Sequence, residues 1–370
     1  MSLRSLASRL WRPPIRLADG LRSPDDNFLM LRLLAAALVI YGHGYALVVH
    51  ASTDTDLFLR LGWGRYAGAI GVDLFFVTSG FLVTGSWLRR RSVPAFLWAR
   101  ALRLLPAFAA CMLLSAFVLG AALTELPLRD YVVHPDTHRY VYANLGLDNL
   151  QWNLPGVFAH NPRRSTVNGS IWTLPIEARM YLGVALLGGI GLLARRAWST
   201  ALIAALLLLG WFAPGTNPLL SIAESPRLGA MFALGALCYL HRDRIPVHGV
   251  GVLALAAACW FLRDTFAYPI AFALAEAAFV FWFAYRVRWY GVNRIGDYSY
   301  GMYLWGFPMQ QVVAMAWPSA TPVANAGLAL VPTVVLAALS WHALEKPALR
   351  CKHGLPRPRA ERTECAPART

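Results

Sequence analysis

Charged residues are scarce in this sequence, and acidic ones are the scarcest. Asp, Glu, Lys and Arg make up only 14% of the 370 residues, against about 25% in an ordinary soluble domain. Hydrophobic residues make up 57%. A soluble protein of this length could not bury so much apolar surface, so the composition excludes a soluble globular protein and a disordered chain.

Cysteine is also rare. The chain has five, three in apolar runs and two in a basic tail: Cys111, Cys238, Cys259, Cys351 and Cys365. Their spacing fits neither a metal site nor a disulfide framework. We therefore predict free thiols that serve as small apolar side chains, and no bound metal.

The 34 Lys and Arg residues outnumber the 19 Asp and Glu residues, which gives a net charge of +15. Such an excess often indicates nucleic-acid binding. Here the basic residues lie mostly between apolar segments, which is the pattern that membrane topology produces. No basic module outside those segments is large enough to contact a duplex, so we predict no nucleic-acid partner.

The apolar runs predict an all-α fold, a polytopic transmembrane helical bundle of about ten spans in the lipid bilayer. A basic segment (1–27) precedes the bundle (28–347), and a basic tail (348–370) follows it. The predicted spans are 28–49, 66–88, 96–123, 171–194, 197–213, 226–241, 247–262, 268–286, 295–316 and 323–345.

The basic residues between the spans alternate in density. One set of segments carries 22 of the 34 Lys and Arg residues, and the opposite set carries eight. Because the rich side is normally cytoplasmic, both termini are predicted to be cytoplasmic. The rich set comprises 1–27, 89–95, 195–196, 242–246, 286–294 and 346–370.

The long loop 124–170 is predicted to be extracytoplasmic. It is rich in Asn, Asp, His, Pro and aromatic residues. A solvated connector is one interpretation. The other is an ordered loop that serves a site, since loops of this length are often functional; aromatic and amide side chains suit a sugar. The sequence leaves both open.

Ionisable side chains inside membrane spans are costly, so each is a candidate functional group. Arg32 and His43 share the first span, and 11 residues turn a helix about 20° past three full turns and raise it about 16.5 Å. Both therefore lie on one face, with Arg32 near the cytoplasmic end. A snorkelling arginine and a hydrogen-bonded core histidine are the alternative; the shared face favours a functional pair.

Two carboxylates also fall inside predicted spans. Asp73 has no neighbouring cation in the sequence, so it needs a partner from another helix. Glu177 is predicted to lie near the outer surface, at the depth of His43. Either carboxylate is a candidate to orient His43, and Glu177 also to bind an acceptor. The alternative for Glu177 is a first-turn acid favoured by the helix dipole.

Arg100 and Arg103 lie one turn apart on the third span, toward the cytoplasmic side. Planar guanidinium groups bind phosphates through paired N–H donors. Together with Arg32 they are candidates to bind a pyrophosphate. Their alternative role is to set the membrane topology.

These segments resemble the membrane-bound acyltransferase type 3 family, whose members transfer acyl groups onto extracytoplasmic glycans. The likeness covers about residues 28 to 347. It rests on elements that follow the family's order: R-x10-H (Arg32, His43), FFVxSGFL (Phe75 to Leu82), R-x-x-R-L-x-P (Arg100, Arg103, Leu104, Pro106), W-T-L-x-x-E (Trp172, Thr173, Leu174, Glu177), S-Y-x-x-Y-L-W-x-x-P (Ser299, Tyr300, Tyr303, Leu304, Trp305, Pro308) and E-K-P (Glu345 to Pro347).

The resemblance implies an O-acyltransferase that uses acyl-CoA, with acetyl-CoA favoured, and a glycan or lipid-linked saccharide acceptor. His43, Asp73 and Glu177 are then the catalytic candidates, and Arg32, Arg100 and Arg103 the donor-binding ones. We assign Trp172, Tyr300 and Trp305 to substrate binding, although the tyrosine and Trp305 also suit an interfacial belt. Many members have histidine where this chain has Gly306, so a role for that second histidine is not assigned.

Two alternatives remain at this stage. A transporter or proton-relay protein would also use His43 and the intramembrane carboxylates, but no internal repeat supports it. An acyltransferase for a longer group, such as succinyl, is equally compatible with the motifs.

Overall fold

The structure is a computed structural model that describes residues 13–48, 53–212, 225–287 and 289–353. Residues 1–12 of the N-terminal segment and 354–370 of the tail lie outside the described residues, as do position 49 of the first span, position 213 of the fifth and Cys365. Within the described ranges, ten helices have 14 or more residues: α1 (Phe28–Leu47), α2 (Ala67–Arg90), α3 (Val93–Leu114), α4 (Leu174–Gly189), α5 (Arg196–Phe212), α6 (Ser225–Leu240), α7 (Gly249–Leu262), α8 (Tyr268–Arg286), α9 (Ser299–Ala316) and α10 (Pro322–Ser340).

The all-α prediction is confirmed, and each of the ten predicted spans overlaps one of these helices. Five helical segments in the described chain are long and apolar enough to cross a membrane: Phe28–Leu47, Ala67–Arg90, Val93–Leu123, Tyr268–Arg286 and Pro322–Arg350. The protein is therefore an integral membrane protein. A tenfold crossing and cytoplasmic termini stay predictions.

Helix α2 lies at the centre of the bundle, with 78% of its apolar window buried. Its Gly80 faces the backbone carbonyl of Phe232 on α6, and Gly235 of α6 faces the carbonyl of Val77. A Cβ at either glycine would overlap the opposite backbone. Small residues thus let the two helices approach closely, as is common between membrane helices.

The Arg-rich segments meet at one end of the bundle. Strand β1 (Ile15–Arg16) pairs antiparallel with β2 (Pro246–Val247). Arg286 at the end of α8 donates to the carbonyl of Pro13 at 2.8 Å. Trp98 of α3 donates to the carbonyl of Cys351 at 3.2 Å. The segment before α1, the α6–α7 turn and the end of α8 are therefore joined directly.

The loop 124–170 is ordered, and buried residues lie at its end, where Val167, Asn168 and Ser170 are buried. It contains the helices Leu128–Val133 and Pro135–Leu145. Asn168 is fully buried and donates to the carbonyl of Leu304 in the middle of α9 at 2.9 Å. Asn161 donates to the side chain of Gln311 at 2.8 Å. The end of the loop thus folds into the bundle before α4 begins, which excludes a fully solvated connector.

Candidate active site

A cavity of about 340 Å³, here called the main cavity, lies between α1, α2, α3, α4 and α9 at the Arg-rich end. Its apolar wall includes Val72, Phe75, Phe76, Leu82 and Leu104. Five of the nine predicted site residues line it. These are Arg32, Arg100, Arg103, Glu177 and Tyr300. Folding therefore joins the first, third, fourth and ninth predicted spans around one space.

Two of the three predicted phosphate-binding arginines are already paired with carboxylates. Arg103 donates to Asp297 at 2.6 Å and to Glu345 at 3.5 Å. Arg32 donates to the same oxygen of Asp297 at 2.9 Å. Ser299 and Ser340 donate to Asp297 and Glu345. The charges of Arg32 and Arg103 are thus largely compensated within the protein.

Sequence reasoning missed both carboxylates of this network. Asp297 lies just before α9 in the segment I-G-D-Y-S, and Glu345 lies in the E-K-P element, which the sequence marked only as a helix end. The available signal was an acid at each of two predicted span ends, on the side that also holds Arg32 and Arg103. Their shared partner Arg103 lies far from both acids in the sequence, so no local pattern revealed the pairing.

Arg100 differs from Arg103, one turn further along α3, in its contacts. Its guanidinium stacks near the rings of Phe96 and Tyr181, 5.9 and 5.7 Å from their centroids. Its Nε is buried without a hydrogen-bond partner, and within the described chain it makes no ion pair with a carboxylate. Arg100 is therefore the member of the predicted trio best suited to receive an external anion.

Glu177 lies in the main cavity and not beside His43 as predicted. Its carboxylate accepts a hydrogen bond from Tyr181, and the charges of Arg103 and Arg100 act on it. The predicted outer depth was wrong because the buried end of the 124–170 loop carries the chain inward before α4 starts. Glu177 in the first turn of α4 consequently reaches the level of the arginines.

His43 lies beyond the main cavity on the same helix as Arg32, as the spacing predicts. Its ring packs edge-on against Phe307, with 5.2 Å between centroids. Its Nδ1 is buried without a hydrogen-bond partner. Arg163 of the long loop is close enough for its charge to act on the imidazole. Neither Asp73 nor Glu177 orients the ring in this structure, contrary to the expectation.

Tyr303 of α9 lines the main cavity. Its hydroxyl donates to the carbonyl of Ser170 at 2.6 Å and meets Thr173 at 2.5 Å. Its ring packs against Phe75 at 5.8 Å. Because Tyr303 lies one turn before Phe307, the lining of the cavity comes within about one helical turn of the ring that contacts His43.

Asp73 belongs to a separate buried cluster. Its carboxylate forms ion pairs with Arg65, at 3.4 Å, and with Arg227 of α6. Glu276 of α8 lies close by. The prediction that Asp73 requires a partner from another helix is confirmed. Its catalytic role stays a prediction, and two arginine partners give it a clear stabilising role across the α2–α6 contact.

The three aromatic residues that the sequence assigns to substrate binding lie in different parts of the structure. Tyr300 lines the main cavity and donates to the carbonyl of Leu104 at 2.9 Å. Trp305 is only 6% exposed, and Trp172 packs partly buried against the core. A Cβ on Gly306 would meet Ile40 of α1 at 2.7 Å. Position 306 thus faces α1 at Ile40, about one helical turn before His43.

Within the ranges that the structure describes, no group of three or more His, Cys, Asp or Glu side chains could hold a metal ion.

The sequence is similar to known proteins over most of its length. Residues 26–342 match the family described as Acyltransferase domain. Nodulation protein 10 of Rhizobium leguminosarum bv. viciae is 29% identical over 365 residues, which cover 89% of this chain and 95% of that protein. An O-acetyl transferase of Shigella phage Sf6 is 27% identical over 341 residues, or 87% and 95% of the two chains. No solved structure matches the chain.

The family match spans most of the sequence, so the chain belongs to the acyltransferase 3 family and is an acyltransferase. The resemblance drawn from the motifs is thereby confirmed. The roles of the individual site residues stay predictions.

Proposed function

We propose that the protein is an O-acetyltransferase of a bacterial inner membrane. It moves an acetyl group from cytoplasmic acetyl-CoA to a hydroxyl of an extracytoplasmic or lipid-linked glycan. The main cavity carries the proposal, because it combines cations with an apolar wall, and its lining residue Tyr303 lies one turn before Phe307, which contacts His43. The relative from the Shigella phage, an O-acetyl transferase, supports both the acetyl group and the oxygen acceptor.

In this mechanism the donor enters the main cavity from the Arg-rich end. Its phosphates meet Arg100, and its thioester points along α1 toward His43. His43 removes the proton of the acceptor hydroxyl while that oxygen attacks the thioester carbonyl. Alternatively, the imidazole accepts the acyl group first and passes it on. In both routes the C–S bond breaks and CoA leaves as the thiol with the proton.

The acceptor is expected on the far side of His43. There the buried end of the long loop is fixed to α9, where Gln311 donates to the carbonyls of Arg163 and Thr166 at 2.9 and 2.6 Å. This contact places the Arg163 backbone in an ordered position. An ordered wall beside His43 favours the interpretation that the loop serves the site.

Turnover is the direct test of this function. Purified protein in detergent is incubated with radiolabelled acetyl-CoA and candidate glycans, and label on the glycan is measured. Competition by unlabelled succinyl-CoA reports whether a longer acyl donor is preferred. Substrate flux across vesicles without any acylated product would instead identify a transporter and refute the proposal.

Arg100→Gln is expected to raise the KM for acetyl-CoA about tenfold while kcat changes little. Loss of one charge-assisted contact that is equal in ground and transition states acts on KM alone. Steady-state kinetics at saturating acceptor measure both constants. Arg195→Gln removes an exposed arginine outside the cavity and serves as the control. A lowered kcat at unchanged KM would contradict donor binding by Arg100.

Topology reporters test on which side of the membrane the long loop and the C-terminus lie. Access of the donor to the main cavity depends on this orientation. Fusions after Leu145 and at the C-terminus are expected to report opposite compartments, with Leu145 outside. The physical reason is the excess of Lys and Arg on the segments that meet at one end of the bundle. Signals from the same compartment would contradict the ten-span topology.

A further inference from the structure

One arginine of the long loop lies near His43, although none of the sequence motifs contains it. Arg163 is exposed, and its charge acts on the His43 imidazole. Within the described chain, its guanidinium forms no ion pair and no hydrogen bond. The guanidinium is therefore available to a group that reacts beside His43.

Hydrogen bonds to α9 fix the backbone at Arg163. Gln311 of α9 is fully buried and donates to the carbonyl of Arg163 at 2.9 Å. Its own side-chain oxygen accepts from Asn161 at 2.8 Å. Gln311 lies one turn after Phe307, whose ring packs against His43 with 5.2 Å between centroids. The Arg163 backbone is thus held about one helical turn from the ring that contacts His43.

The end of the same loop packs directly on Phe307. A Cβ on Gly169 would lie 2.5 Å from the Phe307 ring, so a larger residue would have to displace that ring. The loop therefore contacts this part of α9 at two places, Gln311 and Phe307. A side chain on such an anchored backbone loses less conformational freedom when it binds a reacting group.

Membrane topology does not account for Arg163. The long loop belongs to the segments that are poor in Lys and Arg and are predicted to be extracytoplasmic. A positive residue there opposes that orientation instead of supporting it. A cation near a candidate general base, on the other hand, can stabilise negative charge that develops on a substrate oxygen.

We infer that Arg163 is a catalytic residue that stabilises the negative oxygen formed when the acceptor attacks the donor. This inference rests on the proposed function and deepens it. The acceptor oxygen bonds to the thioester carbonyl carbon while its proton passes to His43, and the carbonyl π electrons move onto the carbonyl oxygen. Arg163 donates charge-assisted hydrogen bonds to that oxygen. When the C=O bond re-forms, the C–S bond breaks, and the leaving sulfur takes the proton from His43.

Steady-state kinetics with acetyl-CoA and the glycan that the wild-type protein labels test this role. Arg163→Gln is expected to lower kcat about 100-fold, the loss that follows removal of one oxyanion donor. Both KM values should stay within about twofold, because the contact forms only in the transition state. Arg163→Lys keeps the charge without the planar donors, so it should lose only about tenfold.

Arg164→Gln is the matched control. Arg164 is the next residue and is also an exposed arginine, so its loss removes the same charge from the same loop. This variant should keep the wild-type kcat. All three variants should also keep the wild-type melting temperature in detergent, since both side chains are exposed.

Two outcomes would overturn the role of Arg163 directly. A raised KM for the glycan at unchanged kcat would show that Arg163 binds the acceptor and does not stabilise the oxyanion. A lowered melting temperature of Arg163→Gln, with equal losses of activity in the Lys and Gln variants, would make its role structural.

Hydrolysis of acetyl-CoA separates this inference from the proposed function. Water then replaces the acceptor hydroxyl, so the same oxyanion forms, and release of CoA is followed without any glycan. If the wild type acetylates a glycan and Arg163→Gln does so at the same kcat, the inference is wrong and the function stands. If the wild type labels no glycan but hydrolyses acetyl-CoA about 100-fold faster than Arg163→Gln, glycan acetylation fails and the role of Arg163 stands. If the wild type catalyses neither reaction, both fail.

Discussion

Replacing His43 by alanine is expected to abolish acyl transfer, with a loss of about 100- to 10,000-fold, the range typical of a positioned acid–base group. His43 lies on α1 about three turns beyond Arg32 and outside the lining of the main cavity. Its Nδ1 is buried and has no partner, so the imidazole is available to a substrate. Acylation of the glycan by purified, correctly folded protein is the measurement.

The control for this variant is His138→Ala. His138 lies in the long loop, where its Nε2 contacts the carbonyl of Val132 at 2.8 Å, away from α1. This variant should retain activity, and both proteins should show the melting temperature of the wild type in detergent. A well-folded His43→Ala protein with a normal rate would remove His43 from the mechanism.

The helices, and the presence of Arg32 and His43 on one helix, could be predicted because their signals are local. Apolar runs of about 20 residues mark spans, and a fixed turn angle puts Arg32 and His43 on one face whatever the neighbours do. The partner that Asp73 requires was likewise predictable in kind, because an isolated carboxylate is costly in a membrane. The sequence did not predict that this partner is Arg227, which lies 154 residues away.

The remaining features depend on contacts between distant segments. Asp297 and Glu345 lie 194 and 242 residues from Arg103, and no local pattern relates them. The depth of Glu177 was mispredicted because hydropathy does not show that Asn168 and Ser170 are buried. A polar loop whose end hydrogen-bonds inside the bundle has the same composition as one that stays in water.

A contact between distant segments also explains why position 306 is a glycine. The short distance from a Cβ at this position to Ile40 shows that α9 approaches α1 closely there. A histidine would have to displace Ile40, which is three residues before His43. In this chain, therefore, the α1–α9 contact is made by packing of a glycine against an isoleucine, and the imidazole beside Phe307 is supplied by α1.

Arg103→Ala is expected to destabilise the ligand-free protein by about 3–5 kcal/mol, because it removes the cation shared by two buried carboxylates. Glu345 is only 1% exposed at its side chain, and Asp297 is 13% exposed. Asp297 keeps Arg32 as a partner, but Glu345 loses its guanidinium. Thermal unfolding in detergent without any donor measures the effect.

Arg100→Ala is the matched control, since Arg100 lies one turn away on the same helix and faces the same cavity. It makes no ion pair in the described chain, so its removal is expected to lower stability by no more than about 1–2 kcal/mol, the value of its two aromatic contacts. The two variants should thus differ in stability although they delete the same side chain. Donor binding alone predicts no such difference.

A double-mutant cycle with Asp297→Asn completes the test of the network. Residues joined by an ion pair show coupling energies of about 0.5–3 kcal/mol, and the 2.6 Å contact between Arg103 and Asp297 is expected to lie in the upper half of that range. Arg103→Lys keeps the charge but loses the planar guanidinium that contacts both carboxylates. Its stability should therefore lie between those of the wild type and Arg103→Ala. If Arg103→Ala melts like the wild type and only the KM for acetyl-CoA rises, Arg103 binds the donor directly and the carboxylate network is not its main role.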